Sequence, residues 1–259
     1  MLTRRAFLGQ ALGSAAAMAA PLGPWNALTP YFETRVGGGF AILDPGAECS
    51  LREAVAGYGV ALDSRGPAKA HVGAWSVPDC ALLIIPAALG LAPSVARLVM
   101  RRLRDGRTVI LESGAAFAPD DGPLLHDHRD FIREQLGIHT MPPVALWPRA
   151  GCGIPYVDFT WPSPALVRDF SRVVPIDERR TDGEIIARVD GMAVAVRAHV
   201  GAGTLIFLGS PLGPALMSGE PEARRWLGSI VERSRAHMAA YEAGQREIRA
   251  AGTRRAPGA

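Results

Sequence analysis

The run Cys80-Ala-Leu-Leu-Ile-Ile85 is apolar at every position, and a second such run, Thr108-Val-Ile-Leu111, follows it after a helix-length interval. A strand with water on one face alternates apolar and polar residues, whereas a strand covered on both faces is apolar throughout. Between the two runs Pro93 stands where a helix starts. Val95, Leu98, Val99 and Leu103 then fall on one helical stripe, and Asp105-Gly106 ends it. Strand, crossover helix and strand make a parallel β-α-β unit, so the chain is committed to a sheet with helices packed over it.

The flanking sequence extends this unit. Gly38 to Pro45 reads as a short apolar strand closed by a turn. Leu51 to Tyr58 has helical spacing with Gly59 as its stop, and Val60 to Asp63 reads as a second strand. Pro86 breaks the apolar strand, and Glu112 to Ala116 turns the chain out of the next one. Phe131 to Leu136 reads as a helix stopped by Gly137. Further on, Glu184–Val189 and Met192–Arg197 flank Asp190-Gly191, the signature of a two-residue hairpin. Thr204–Leu208 follows the turn at Gly201-x-Gly203, and Pro221–Val231 makes a closing helix. Residues 141–165 alternate six prolines with Trp147, Tyr156, Phe159 and Trp161. Aromatic residues at that density need a surface to pack on, so this is read as an ordered insertion. The alternation predicts an α/β fold with a doubly wound, mostly parallel sheet and a C-terminal β-hairpin addition.

Charge is distributed unevenly. The 259 residues carry 28 Lys and Arg against 25 Asp and Glu, but Arg4 and Arg5 open the chain and six arginines fall in residues 233–259. Without those two ends the body has 20 basic and 23 acidic residues, which gives no compositional support for a nucleic-acid-binding face. An apolar share of 48% excludes wholesale disorder, and three cysteines exclude a disulfide-stapled miniprotein. The organisation read from this is a leader over 1–19, a linker over 20–35, an α/β domain over 36–232 and a basic helical or disordered tail over 233–259.

The leader carries Arg4-Arg5-Ala6-Phe7-Leu8, a moderately apolar stretch, and the small-x-small site Ala17-Met18-Ala19. Paired arginines ahead of x-Phe-Leu resemble a twin-arginine export signal, which implies transport of folded cargo to the periplasm. A Sec-type signal and an uncleaved anchor are the alternatives. The run is too short and too rich in Ala and Gly for a stable span. In an oxidising compartment Cys49, Cys80 and Cys152 allow one disulfide at most. Cys49–Cys152 is the pair to test, with Cys80 a buried packing residue.

Four segments resemble the class I glutamine amidotransferase-like superfamily, which has a flavodoxin-like fold. They are Asp79 to Pro86, the helix end Arg104-Asp105-Gly106, the strand and elbow Thr108 to Ala115, and Gly201 to Pro211. The resemblance implies a Cys nucleophile at the elbow and a His and an acid after the last strand. Glu112 stands at the Cys position, and Ser210-Pro-Leu-Gly-Pro214 supplies no His or acid. A chain with both halves of the dyad missing reads as a degenerate, non-catalytic member, a binding or assembly module for a periplasmic protein or small ligand. Its candidate surface is the strand C-terminal rim of Pro86, Ala87, Glu112, Ser113, Gly114 and Ser210.

Two other readings stay open. Ser113, or Glu112, at the elbow is a candidate for catalysis in a periplasmic hydrolase, although Ser113 lacks the flanking glycines of a nucleophile elbow. A flavodoxin-like cofactor carrier is the third, although Gly37-Gly38-Gly39 precedes a strand instead of opening a helix, so no cofactor is assigned. His126, His128 and Asp130 have the residue types of a metal cluster, with His139 and Asp158 as distant partners. Only His126 and Asp130 share a helical face, and Arg129 opposes a cation between them. The stretch Tyr156 to Trp161 reads as core or as a ligand surface, with Arg168, Arg172, Arg179 and Arg180 as anion holders or solvated charges.

Overall fold

The computed structural model describes residues 31–37, 40–44, 52–62, 69–72, 77, 79–88, 91, 93–114, 123–146, 155–169 and 172–254. The leader, Cys49 and Cys152 lie outside them. A single ten-stranded sheet organises the chain. Its centre is four parallel strands, β2 (Phe40–Asp44), β4 (Leu82–Ala88), β5 (Thr108–Ser113) and β12 (Gly203–Leu208), in that order. On one flank β1 (Tyr31–Gly37) and β3 (Lys69–Val72) add antiparallel. On the other flank come β11 (Met192–Val200), β10 (Glu184–Val189), β7 (Tyr156–Phe159) and β8 (Ala165–Arg168), also antiparallel. The short strands β6 (Val144–Ala145) and β9 (Arg172–Val173) pair separately.

This corrects the expectation of a doubly wound, mostly parallel flavodoxin-like sheet with a hairpin appended. Six of the nine strand pairings are antiparallel, and the expected hairpin β10–β11 is built into the middle of one flank. The physical reason lies in the insertion. Val157 and Phe159 are buried while Asp158 is exposed, and β8 repeats that alternation, so both are sheet strands with one face on the core. Likewise β1 occupies part of the segment expected as a linker.

Among the described residues, five helices cover the sheet. Helices α2 (Pro93–Arg104) and α3 (Pro123–Leu136) lie on one face, where Val95, Leu98, Val99, Leu103, Ile132 and Leu136 pack against Leu83, Ile85, Val109 and Leu111. On the other face α1 (Arg52–Ala61), α4 (Gly213–Met217) and α5 (Pro221–Arg254) pack against Ile42, Ile84, Ile110, Ile206 and Leu208. The central strands are therefore covered on both faces, and Ala81 to Ile85 and Val109 to Leu111 are fully buried. Among the described residues no helix is long and apolar enough to cross a membrane.

Local chemistry explains where elements end differently from expectation. Residues 60–61 belong to α1, not to a strand, and Leu62 N–H still donates to Tyr58 O at 3.1 Å. A helical glycine costs about 1 kcal/mol, yet the helix runs on through Gly59. Pro86 does not end β4. It sits in a register shift between Ile85 and Ala88, where the missing N–H removes one ladder bond and the strand resumes. Glu112 and Ser113 still belong to β5. The Asp190-Gly191 turn has φ of 48° and 78°, as a hairpin turn with two left-handed residues requires. Gly106 has φ 74°, and a Cβ there would meet the Tyr241 ring at 2.8 Å. Residues 233–254 continue α5, whose 34 residues span about 51 Å.

Candidate functional site

The C-terminal ends of the parallel strands bring the expected rim together. Ala88 pairs with Ser113, Leu208 pairs with Glu112, and Ser210 lies two residues beyond. Pro86, Glu112, Ser113, Gly114 and Ser210 are all buried, with Glu112 at 0% exposure and Ser113 at 2%. Ala87 belongs to β4, but its side chain lies outside the described residues. The rim is thus assembled and covered at once.

Its cover is specific. Glu112 Oε1 accepts from Leu212 N–H at 2.6 Å, from the Tyr58 hydroxyl at 3.1 Å and, at a longer 3.4 Å, from Gly213 N–H. One carboxyl oxygen therefore joins β5 to α1 and to the start of α4. The two helices approach closely above it, since a Cβ on Gly57 would stand 2.1 Å from Gly213 O. Burial, then the neighbouring Glu112 charge and the hydrogen bond to it, push the Tyr58 phenol well above its usual range, which keeps its proton available for donation. Alongside, Ser210 Oγ donates to Asp169 Oδ2 at 2.6 Å, both groups buried, and ties the end of β8 to the exit of β12.

Sequence reasoning does not single out Tyr58 or Asp169. Tyr58 carries only the signal of a helix stripe, and Asp169 lies 41 residues from its partner with no motif around it. The histidines whose side chains are described lie elsewhere. His139 follows α3 and its N–H donates to Thr181 Oγ1 at 2.9 Å. His199 lies on β11, and His237 Nε2 is 3.1 Å from Ala202 O.

The remaining candidates are dispersed. His126 and His128 lie in α3 with side chains outside the described residues, and Asp130 pairs with Arg133 at 2.7 Å. Among the described residues no group of three His, Cys, Asp or Glu could hold a metal ion. In the aromatic stretch, Phe159 packs on Trp226 with ring centroids 4.5 Å apart, which is core packing. Arg168 donates to the Tyr156 hydroxyl at 3.2 Å, while Arg179 and Arg180 are exposed on a turn. Cys80 is buried, and burial foremost raises its thiol to about 11.

No protein-family model matches this sequence, and no curated protein matches it. The β-galactosidase from Rahnella sp. R3 is similar in fold, with a TM-score of 0.50 at 13% identity over 78% of this chain and 32% of that one. The β-galactosidase from Bacillus circulans sp. alkalophilus gives 0.43 at 16% identity, over 71% and 28% of the two chains. A cytoplasmic protein from Salmonella typhimurium LT2 gives 0.43 at 12% identity, over 76% and 90%. The chain spans about a third or less of the β-galactosidases it matches. A mixed sheet, alike in fold to part of the Rahnella chain, replaces the amidotransferase-like and flavodoxin-like fold assignment.

Proposed function

We propose that this chain is an exported, non-catalytic domain that serves binding or assembly in the periplasm. The observation that carries the reading is the state of Glu112. A catalytic carboxyl must reach substrate, whereas this one is fully buried and its Oε1 accepts hydrogen bonds from three donors of the fold itself. Ser113 beside it is equally inaccessible. Export rests on Arg4-Arg5-x-Phe7-Leu8 and on Ala17-x-Ala19.

A second reading, a hydrolase using Ser113 or Glu112, is favoured by the likeness in fold to part of a β-galactosidase. It calls for an accessible acid with a second carboxyl about 5–9.5 Å away across a glycosidic bond. The deciding experiment incubates the purified chain with a nitrophenyl β-galactoside and with nitrophenyl acetate, alongside Glu112→Gln and Ser113→Ala. The expected result is no turnover above buffer for any of the three. Turnover by the unmodified chain that either substitution abolishes, with the fold intact, would establish the hydrolase and end the binding-module reading.

A further inference from the structure

We infer that the chain carries a binding site for a small oxyanion-bearing solute, a phosphate ester or a carboxylate, between the start of the parallel strands and the middle of α5. A cavity of about 310 Å³ lies there, within the range of small-molecule sites. Its position is marked by a change in pattern on both walls. The sheet face under α5 is apolar at Ile110, Ile206 and Leu208, yet becomes Thr108, Thr204 and His199 at the level of the cavity. Along α5 the inward stripe changes in step, from Trp226 and Ile230 to Ser234 and His237. Two facing elements that gain polar residues together leave a partly open space of mixed polar and apolar lining where a core would otherwise continue.

The charge of that space is one-sided. Its charged lining residues are Arg197 and Arg233, and no lining residue is acidic. Glu184 pairs with Arg197 at 2.5 Å from outside the lining, while Arg233 pairs with no carboxylate among the described residues. Trp161 holds both guanidinium groups in place, 4.7 Å from its ring centroid for Arg197 and 5.5 Å for Arg233. Trp161 is itself anchored, because its carbonyl accepts from Trp226 Nε1–H at 2.7 Å. Two planar cations held over one ring, in a space also lined by two threonines, suit a group that accepts several hydrogen bonds and carries negative charge. The site lies at the opposite strand ends from the sealed rim and stands independently of the function proposed above.

The test is calorimetric titration of the full chain with inorganic phosphate, glucose 6-phosphate, glucuronate and, as the neutral control, glucose. The expected result is saturable binding of at least one organic oxyanion with Kd below about 1 mM and none of glucose. Glucose 6-phosphate and glucuronate distinguish the phosphate source from the carboxylate source. Arg233 lies on the exposed side of α5, so Arg233→Gln retains the fold and weakens binding at least about tenfold. Arg197→Gln, checked by an unchanged circular dichroism spectrum, does the same. No saturable oxyanion binding up to about 10 mM, or binding that neither substitution weakens, would overturn the inference.

Discussion

If Glu112 is an internal bracket, its removal damages the fold in a calculable way. Glu112→Ala strands three buried donors, the Leu212 N–H at 2.6 Å, the Tyr58 hydroxyl at 3.1 Å and, at a longer 3.4 Å, the Gly213 N–H. A buried donor left unsatisfied costs about 1–3 kcal/mol, and the vacated volume adds to that. The expected loss is about 3–5 kcal/mol, most of it from donors left without an acceptor and the rest from the cavity. Tyr58→Phe removes one donor and leaves the carboxyl bonded to Leu212, so its loss is about 1–1.5 kcal/mol. The pair should couple by about 1 kcal/mol in a double-mutant cycle, because each substitution removes the same bond. Urea unfolding followed through buried Trp226 measures all four proteins, with a constant m-value as the check on two-state behaviour. The contrary outcome is informative. An acid kept for chemistry is held against the interest of the fold, and its replacement leaves stability unchanged or raises it. A Glu112→Ala protein within about 0.5 kcal/mol of the unmodified chain would refute the bracket.

Three further outcomes are expected. Gly57→Ala places a methyl 2.1 Å from Gly213 O and destabilises by about 1–3 kcal/mol, whereas Gly244→Ala, with nothing within 4 Å, stabilises α5 by about 0.5–1 kcal/mol; thermal melts of both test this. Folding raises the Cys80 thiol to about 11, so the folded state holds its proton more tightly than the unfolded chain. Stability is then insensitive to this group below about pH 9 and falls by up to about 1.4 kcal/mol per unit as pH rises towards 11; urea midpoints at intervals across that window, with Cys80→Ala as control, measure it. Replacing Arg4 and Arg5 together by Lys keeps the charge of the leader but removes the arginine pair, and cell fractionation should find the chain retained in the cytoplasm.

What can be read from residues alone divides by range. The Asp190-Gly191 hairpin, the α2 stripe and the two apolar central strands are legible because a turn type, a helical period and two-sided burial each leave a local mark. The antiparallel flank is not. Tyr156 to Phe159 alternates as a strand does, but the surrounding prolines and aromatics mask the period, and pairing with β10 joins residues nearly 30 positions apart. The rim is found as a set because strand ends in an open α/β sheet gather there. That it is sealed depends on Tyr58 and on two backbone amides beyond residue 210, which no motif announces.

The same strand face makes opposite use of polar residues at its two ends. On β5, Thr108, Ile110 and Glu112 alternate onto the side covered by α5, about 13 Å from first to last. At the far end every strong acceptor contact of Glu112 Oε1 is met from within, and a polar group satisfied by its own fold offers a ligand nothing. At the near end Thr108, Thr204, His199 and Arg233 line a space that the fold leaves open, while His237 Nε2 already contacts Ala202 O. Ile110 and its apolar neighbours separate the two. Recognition therefore belongs to the end where hydrogen-bonding capacity faces open space, although strand topology alone would place it at the other.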